Sequence, residues 1–331
     1  MVDSLGEVAL VFLAGAGLSL ACGPAAIRWL SRAQCIQPTR YEDCPPLLSY
    51  QATKRGTPTM GGLLVLLVGI LVAAAAGGLA DRDGWLVLSA VVGLGAVGLC
   101  DDVLKFRRQN AAGMRSLPKL MVAFAIGALL GVSVSSRAVS YQVLEIPWLQ
   151  RTIELGWGWV PLAMLVVAGC AHAVNLTDGM DGLAAGCVAI ALSILGLVAL
   201  AGDPRGHVFV PWCASFSGAC VGFLWFNSFP ASVFLGDVGA LGLGAVVAAV
   251  SLLTHATLLL LVIGGVFVAE ALSVILQVAS YKCRGGRRIF RVAPLHHHFH
   301  LGGLSEPKLI TRFWIVGLVL GVLALTTVDL P

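Results

Sequence analysis

The chain has 331 residues, of which 58% are hydrophobic and only 11% are charged, and its mean hydropathy is +0.92. Soluble globular domains carry about 25% charged residues, so this composition excludes a soluble globular protein. The formal net charge of +4 is small, and we expect no nucleic-acid partner. The composition is that of a protein embedded in lipid.

Apolar runs long enough to span a bilayer, about 18 residues or more, recur along the whole chain. We interpret ten of them as membrane helices, so the predicted fold is an all-α polytopic membrane protein that forms one transmembrane domain, residues 1–331. The runs that start at 85 and 239 are short, and residues 254–257 leave almost no loop. The predicted spans are 5–30, 59–80, 85–100, 118–136, 158–174, 183–202, 208–226, 239–254, 256–280 and 309–328.

The distribution of Lys and Arg predicts the orientation. With ten spans, one side of the membrane holds 17 of the 21 cations and the other side holds four. Cytoplasmic segments carry the excess of Lys and Arg, so we expect the larger set in the cytoplasm and both termini outside it. The larger set is Arg28, Arg32, Arg40, Lys54, Arg55, Lys105, Arg107, Arg108, Arg115, Lys119, Lys282, Arg284, Arg287, Arg288, Arg291, Lys308 and Arg312. The smaller set is Arg82, Arg137, Arg151 and Arg205.

Five aspartates stand where apolar runs end: Asp101, Asp102, Asp178, Asp181 and Asp237. Carboxylates at the edge of hydrocarbon are costly, so such a set indicates function. On the predicted topology all five lie on the cytoplasmic face, where they would form an acidic, metal-binding site beside lipid. Because Mg²⁺ usually takes one or two protein carboxylates, some of the five must orient substrate, cations or backbone instead.

Each acidic motif also has an ordinary structural interpretation. Asp178 and Asp181 would share a helix face, but Asn175 and Asp178 also resemble caps of the next helix. The segment 175–182, Asn-Leu-Thr-Asp-Gly-Met-Asp-Gly, contains more polar and glycine residues than a cap needs, which favours function. Asp237 could likewise cap the span that follows it, and alone it does not distinguish the two interpretations.

Cations next to these acids suggest the chemistry. A cytoplasmic cation is by default a topological anchor, but Lys105 and Lys119 adjoin the acidic segments. Cations interleaved with carboxylates suit a substrate that carries several phosphates together with a divalent metal. The segment 54–62, which contains Thr59, is typical either of a plain loop or of a flexible entry to a helix.

Two further polar groups lie near the C-terminal end. Glu270, Ser273 and Gln277 fall at helical spacing, and they indicate either a hydrogen-bonding stripe inside the bundle or a kinked, groove-lining helix. Four histidines occupy positions 296, 297, 298 and 300. Consecutive histidines cannot all face one metal from a helix, so contact with a phosphate or sugar is favoured over zinc.

Together these motifs resemble the polyprenyl-phosphate N-acetylhexosamine-1-phosphate transferases. The resemblance rests on Asp101-Asp102 with Lys105 and on the segments 175–182, 234–239 and 293–299. Within that superfamily, Gly-Thr-Pro-Thr-Met-Gly-Gly at 56–62 and the triple histidine resemble the phospho-N-acetylmuramoyl-pentapeptide transferases. The resemblance extends from about residue 50 to residue 314.

The resemblance implies ten membrane helices in the bacterial inner membrane, a cytoplasmic active-site cleft, Mg²⁺ dependence and usually a homodimer. The implied reaction joins UDP-N-acetylmuramoyl-pentapeptide to undecaprenyl phosphate and gives lipid I and UMP. By motif match, Asp101, Asp102 and Asp237 would be catalytic, with Asp237 as the Mg²⁺ ligand. The implied substrate-binding residues are Lys54, Thr59, Lys105, Lys119, Asn175, Asp178, Asp181, Asn227, Glu270, Gln277, His296, His297 and His298.

Two other functions stay open at this point. The nearer is a sibling transferase that moves N-acetylglucosamine-1-phosphate, although the Thr-Met-Gly-Gly and His-His-His-Phe segments argue against it. The other is a transporter, because intramembrane acids also mark ion pathways. The crowding of the acids at one face disfavours a transporter. Outside the spans, the alternation over 141–155 indicates an external β-hairpin.

Overall fold

The structure is a computed structural model that describes residues 4–36, 54, 56–108, 113–137, 142–149, 151–202 and 204–328. Over these ranges the chain is a bundle of helices with one small β-hairpin. The helices are α1 (Leu5–Arg32), α2 (Gly62–Ala75), α3 (Arg82–Arg108), α4 (Ser116–Ser135), α5 (Trp159–Thr177), α6 (Leu183–Ala201), α7 (Val210–Asn227), α8 (Gly236–Leu253), α9 (Leu260–Ile263), α10 (Gly265–Cys283), α11 (Leu295–His300) and α12 (Glu306–Leu325).

Nine of the described helices are long and apolar enough to cross a membrane, namely α1, α3 to α8, α10 and α12. The chain is therefore a multi-pass membrane protein, as the composition predicts. The tenth apolar helix, α2, has only 14 residues. Its predicted run begins at 59, but residues 58–61 are bound to another loop and do not enter the helix.

Two further predicted spans have different boundaries in the structure. The run 85–100 was predicted to stop before the acids, whereas α3 continues to Arg108 and carries Asp101 and Asp102 inside the helix. Ion pairs to lysines satisfy these buried carboxylates, so the helix does not have to end at them. The run 256–280 is broken at Gly264 into α9 and α10, which favours the kinked helix of the two interpretations.

Helix α8 is the centre of the bundle. All 18 of its residues, Gly236–Leu253, are buried, and it packs against α2, α3, α5 and α6. A helix that is apolar on every side needs neighbours on every side, which explains this central position. Gly98 allows the approach of α3, because a Cβ at Gly98 would lie 2.3 Å from the Asp237 carbonyl oxygen. The first turn of α8, which holds Asp237, is thereby enclosed by other helices.

The predicted hairpin is present. Strands β1 (Val143–Ile146) and β2 (Arg151–Glu154) pair antiparallel, while Tyr141 lies outside the described residues. The hairpin lies at the end of the bundle where His255 Nδ1 is 3.3 Å from the Val143 carbonyl oxygen.

Arg137 and Asp83 also pair with each other, Nη1 to Oδ2 at 3.0 Å, and both belong to segments predicted to face outside. Of the cations used for the orientation, Arg40 and Arg55 lie outside the described residues.

Candidate active site

Three of the five aspartates converge. Asp101 and Asp102 on α3 and Asp237 on α8 each place one carboxylate oxygen within 4.8 Å of the other two. Their exposed fractions are 0%, 3% and 5%, so all three carboxylates are buried. Buried carboxylates need compensating charge or hydrogen bonds, and both are present here.

Two lysines bridge these carboxylates. Lys105 Nζ lies 2.5 Å from Asp101 Oδ2 and 2.9 Å from Asp237 Oδ1. Lys119 Nζ lies 2.9 Å from Asp101 Oδ1 and 3.0 Å from Asp237 Oδ2. We call these five residues the acid–lysine centre. Three carboxylates and two ammonium groups leave one formal negative charge, so the centre can accept a further cation.

Backbone N–H groups hold the carboxylates in place. Asp102 Oδ2 accepts a hydrogen bond from the Val238 N–H at 3.0 Å, and Asp101 Oδ1 accepts one from the Met114 N–H at 2.5 Å. The first N–H groups of a helix have no partner within the helix and carry partial positive charge. Asp102 therefore acts on α8 as a cap supplied by another helix.

Residues 58–61 are hydrogen-bonded to the residues that lead into Asp237 of the acid–lysine centre. The Phe234 N–H donates to the Pro58 carbonyl oxygen at 2.8 Å, and the Gly61 N–H donates to the Phe234 carbonyl oxygen at 2.9 Å. Thr59 is buried between them, with 6% of its surface exposed. The segment is therefore not a plain loop, because its backbone is paired with the residues that lead directly into Asp237.

The acid–lysine centre fits a magnesium ion chemically. Its potential ligands are all carboxylate oxygens, which Mg²⁺ prefers, and the centre keeps a net negative charge. The sequence resemblance implied Asp237 as the ligand, and the structure brings Asp101 and Asp102 to the same point.

A second buried cluster forms around Lys54. Its Nζ lies 2.5 Å from Asp181 Oδ1 and 2.6 Å from Glu306 Oε1, and the Asp181 N–H donates to Glu306 Oε1 at 2.9 Å. Asp181 Oδ2 accepts from the Ala231 N–H at 3.0 Å. Burial raises the pKa of the Asp181 carboxyl; Lys54 lowers it and Glu306 raises it further. We call Lys54, Asp181 and Glu306 the lysine–glutamate cluster.

The aspartates therefore do not form one acidic site. Asp181 belongs to the lysine–glutamate cluster, and Asp178 is half-buried at the C-terminal end of α5, near the half-buried Asn175. The two clusters lie at the same end of the bundle, because a single connection carries both Ala231 and Asp237. The prediction that the acids share one end is confirmed for the clustered residues.

The histidines separate into buried and partly exposed positions. His296 and His297 are buried, with exposed fractions of 0% and 1%, and their ring centroids are 4.2 Å apart. His298 Nδ1 accepts a hydrogen bond from the Arg291 N–H at 3.1 Å. Burial, together with electrostatic interactions with His296, His300 and Lys54, lowers the pKa of His297 to about 2. His297 is therefore a neutral hydrogen-bonding group at neutral pH.

Three of the predicted substrate-binding residues make hydrogen bonds to the protein backbone: Glu270, Gln277 and Asn227. Glu270 Oε1 accepts from the His296 N–H at 3.2 Å. The Gln277 Oε1 accepts hydrogen bonds from the N–H groups of residues 289 and 290. Its Nε2 donates to the Phe290 carbonyl oxygen at 3.0 Å. The Asn227 Nδ2 donates to the Val233 carbonyl oxygen at 2.8 Å. These side chains therefore fix the backbone at residues 233, 289, 290 and 296.

Two residues near the clusters were missed in the sequence. Glu306 follows a serine and precedes a proline at the start of an apolar run, which is the ordinary pattern of a helix N-terminus. His172 is half-buried on α5 and interacts electrostatically with Lys119 and Asp237. A single histidine inside an apolar run is usually a core residue, so no local signal pointed to it.

Two apolar grooves flank α10. One has a volume of about 300 Å³ and lies between α5, α8, α9 and α10. The other has a volume of about 420 Å³ and lies between α10, α11 and α12. Residues lining the first groove include Cys170, Val174, Val247, Gly264, Phe267 and Ala271. Its α5 wall leads to Asn175 at the end of that helix.

Comparison with known protein families gives two matches. Glycosyl transferase family 4 matches residues 84–255, which include Asp101, Asp102 and Asp237. The family match and the nine membrane-crossing helices of the described residues define the chain as a multi-pass membrane phosphoglycosyl transferase. The phospho-N-acetylmuramoyl-pentapeptide-transferase signature 1 matches residues 54–66, the segment paired beside Asp237.

Relatives extend the match to nearly the whole chain. A phospho-N-acetylmuramoyl-pentapeptide-transferase of Oleidesulfovibrio alaskensis is 40% identical over 95% of this chain and 90% of the relative. The enzyme of Thermodesulfovibrio yellowstonii is 41% identical over 93% of this chain and 88% of the relative. That of Nitratidesulfovibrio vulgaris is 42% identical over 95% of this chain and 90% of the relative. The chain belongs to the phospho-N-acetylmuramoyl-pentapeptide transferases, enzymes of peptidoglycan synthesis.

Proposed function

We propose that the protein transfers phospho-N-acetylmuramoyl-pentapeptide from its UDP derivative to undecaprenyl phosphate, giving lipid I and UMP. This would be the first membrane step of peptidoglycan synthesis. The observation that carries the proposal is the backbone pairing between residues 58–61 and Phe234, because it joins the family signature to the acid–lysine centre. The names of the relatives support the same substrates.

The proposed location is the bacterial inner membrane, with the active site facing the cytoplasm. The excess of Lys and Arg in the segments at the active-site end supports this orientation. With α2 as a tenth crossing, both termini would be extracytoplasmic. We also propose a homodimer, which rests on the family resemblance alone.

The two apolar grooves beside α10 suit the polyprenyl acceptor. A long hydrocarbon chain would lie in the groove between α5 and α10, and its phosphate would reach the end of α5 near Asn175. This end of α5 also carries His172, which interacts with Lys119 and Asp237. The acceptor would thus approach the acid–lysine centre from the lipid side.

The proposed metal is Mg²⁺, held by Asp237 together with Asp101 or Asp102. When bound, a magnesium ion would neutralise charge that develops on the transferring phosphates. Lys105 and Lys119 would neutralise the remaining phosphate charge and keep the carboxylates in place. Asn175 and Asp178, at the end of α5, would help to shape the nucleotide environment.

The proposed chemistry is a direct displacement. A phosphate monoester has a second pKa near 6, so the lipid phosphate is mostly dianionic in the cytoplasm and needs little activation. One of its oxygens would form a bond to the β-phosphorus of the nucleotide, while the bond from that phosphorus to the bridging oxygen breaks and UMP leaves. Asp101 contacts two ammonium groups and one backbone N–H, which suits an orienting carboxylate rather than a nucleophile.

Purified protein with Mg²⁺, undecaprenyl phosphate and UDP-N-acetylmuramoyl-pentapeptide tests the function, with UMP release as the readout. UDP-N-acetylglucosamine serves as the matched donor, and we expect no UMP from it. UMP release from UDP-N-acetylglucosamine, without release from the muramoyl nucleotide, would overturn the proposed substrate.

A second experiment tests the mechanism. The protein is incubated with the muramoyl nucleotide, labelled on the β-phosphate, in the absence of the lipid. Direct displacement predicts no UMP and no label on protein. Stoichiometric UMP release with label retained on the protein would demonstrate a covalent intermediate and contradict the one-step reaction.

A further inference from the structure

Glu270 on α10 and His296 on α11 form a completely buried pair, each with an exposed fraction of 0%. Glu270 Oε1 accepts a hydrogen bond from the His296 N–H at 3.2 Å, and Glu270 Oε2 lies 3.2 Å from His296 Nδ1. In the described part of the chain, Oε2 and Nδ1 are both buried and neither makes a hydrogen bond of good geometry. The 3.2 Å contact between them is therefore the one polar contact that the described residues give these two atoms.

The opposite edge of the imidazole touches the segment 175–182. A Cβ added at Gly179 would lie 2.2 Å from His296 Nε2, so only glycine leaves room for the ring. Among the described residues, this buried Nε2 has no hydrogen-bond partner. His296 thus lies between α10 and the loop that carries Asp178 and Asp181.

A neutral imidazole carries its proton on one of two nitrogens, and the partner of the other nitrogen selects which. A carboxylate is a hydrogen-bond acceptor, so the nitrogen beside Glu270 must be the protonated one. This arrangement leaves Nε2 unprotonated against Gly179. A protonated Nε2 in this position would be a buried donor without an acceptor, which costs free energy.

We propose that Glu270 is a positioning residue that fixes His296 in the Nδ1–H tautomer and in one orientation. His296 in turn aligns His297, whose ring centroid is 4.2 Å away, and the loop at Gly179. Because both side chains are completely buried, the pair acts through these neighbours and not by touching substrate. This assignment replaces substrate binding for Glu270 and His296, and its effect on turnover rests on the proposed function.

The tautomer can be measured without any substrate. Protein labelled with ¹⁵N-histidine contains seven histidines, and the signals that disappear in His296→Asn identify His296. We expect a protonated Nδ1 and an unprotonated Nε2. In Glu270→Gln the new amide can donate to Nδ1, so the tautomer should invert. An Nε2–H tautomer in the unaltered protein, or no change in Glu270→Gln, would overturn the proposal.

Activity variants separate positioning from folding. The Asn amide can imitate Nδ1–H, whereas the Gln amide reaches the position of Nε2, so His296→Asn should keep more activity than His296→Gln. We expect Glu270→Gln to lower kcat about tenfold to a hundredfold, by analogy with the loss of the carboxylate that orients a metal-bound histidine, with an unchanged melting temperature. Equal activity of the two His296 variants would contradict the role of Nδ1.

The two proposals fail in different ways. Absence of UMP release by the unaltered protein, with the expected tautomer present, would remove the proposed substrates and leave the Glu270–His296 assignment standing. Normal UMP release with the wrong tautomer would remove only the positioning role.

Discussion

Lys54 Nζ lies 2.6 Å from Glu306 Oε1, although the two residues are 252 positions apart in the chain. The contact joins the segment of the family signature to the first turn of the last membrane helix. Asp181 completes the cluster from a third part of the chain, with its Oδ1 at 2.5 Å from the same ammonium group. One lysine therefore holds three separate segments together beside the acid–lysine centre.

Lys54→Met should destabilise the fold and weaken nucleotide binding. The substitution leaves Asp181 and Glu306 buried without their cation, and breaking a buried ion pair costs about 3 kcal/mol or more. Chemical denaturation in detergent measures the loss. Glu306→Gln keeps an acceptor for the Asp181 N–H, so the double variant Lys54→Met with Glu306→Gln should recover part of the stability. Additive effects in the double variant would argue against coupling.

Asp237→Asn should abolish turnover or raise the Mg²⁺ requirement. The substitution removes the net negative charge of the acid–lysine centre and one of three candidate ligands. Loss of an outer partner of a metal ligand costs up to about a hundredfold in activity. Because Asp237 is itself a proposed ligand, we expect its replacement to lower activity by more than that. A Mg²⁺ titration of activity is the measurement. Asp83→Asn is the matched control, because Asp83 pairs with Arg137 at the other end of the bundle. An unchanged Mg²⁺ dependence would remove Asp237 from the metal site.

Gly98→Ala should separate α3 from α8 and displace Asp237. The new Cβ would lie 2.3 Å from the Asp237 carbonyl oxygen, and overpacking of this kind costs about 1–3 kcal/mol. Activity should fall with stability, as measured by thermal unfolding and UMP release. Gly17→Ala on α1 is the control, because a Cβ there meets no atom within 4 Å. A Gly98→Ala protein as active and stable as Gly17→Ala would contradict the close approach of the helices.

His297 should make stability depend on pH below neutrality. Its pKa is lowered from 6.5 to about 2 in the folded protein, first by burial and then by electrostatic interactions with His296, His300 and Lys54. Between these values the unfolded chain binds a proton that the folded protein does not. The stability present above pH 6.5 is therefore lost progressively as the pH falls, by about 2 kcal/mol at pH 5.

Melting temperatures at pH 7.5 and pH 5 check this prediction. His297→Asn should lose less stability between the two pH values than the unaltered protein. An identical pH dependence in both proteins would contradict the shifted pKa of His297.

Much of the fold can be predicted from the sequence because a membrane helix is determined by the residues of its own apolar run. Each of the ten apolar runs contains a helix, since about 20 apolar residues in lipid must satisfy their own backbone hydrogen bonds. The hairpin at 143–154 also follows from local alternation. The helix end at Arg108 was not predicted, and a kink near Gly264 was only one of two interpretations. The continuation of α3 past its acids depends on tertiary contacts, because Lys119 pairs with Asp101 and Asp237 pairs with Lys105.

The sequence by itself determined that this chain spans a membrane many times and that Asp101, Asp102, Asp178, Asp181 and Asp237 are its exceptional residues. Composition decides the first point and the cost of carboxylates beside hydrocarbon decides the second. Only the tertiary structure decided how the acids are divided. Asp237 joins Asp101 and Asp102 because Gly98 lets two helices touch, and Asp181 instead joins Lys54 and Glu306. Such partners are chosen by helix packing across hundreds of residues, and no local pattern in the sequence records that packing.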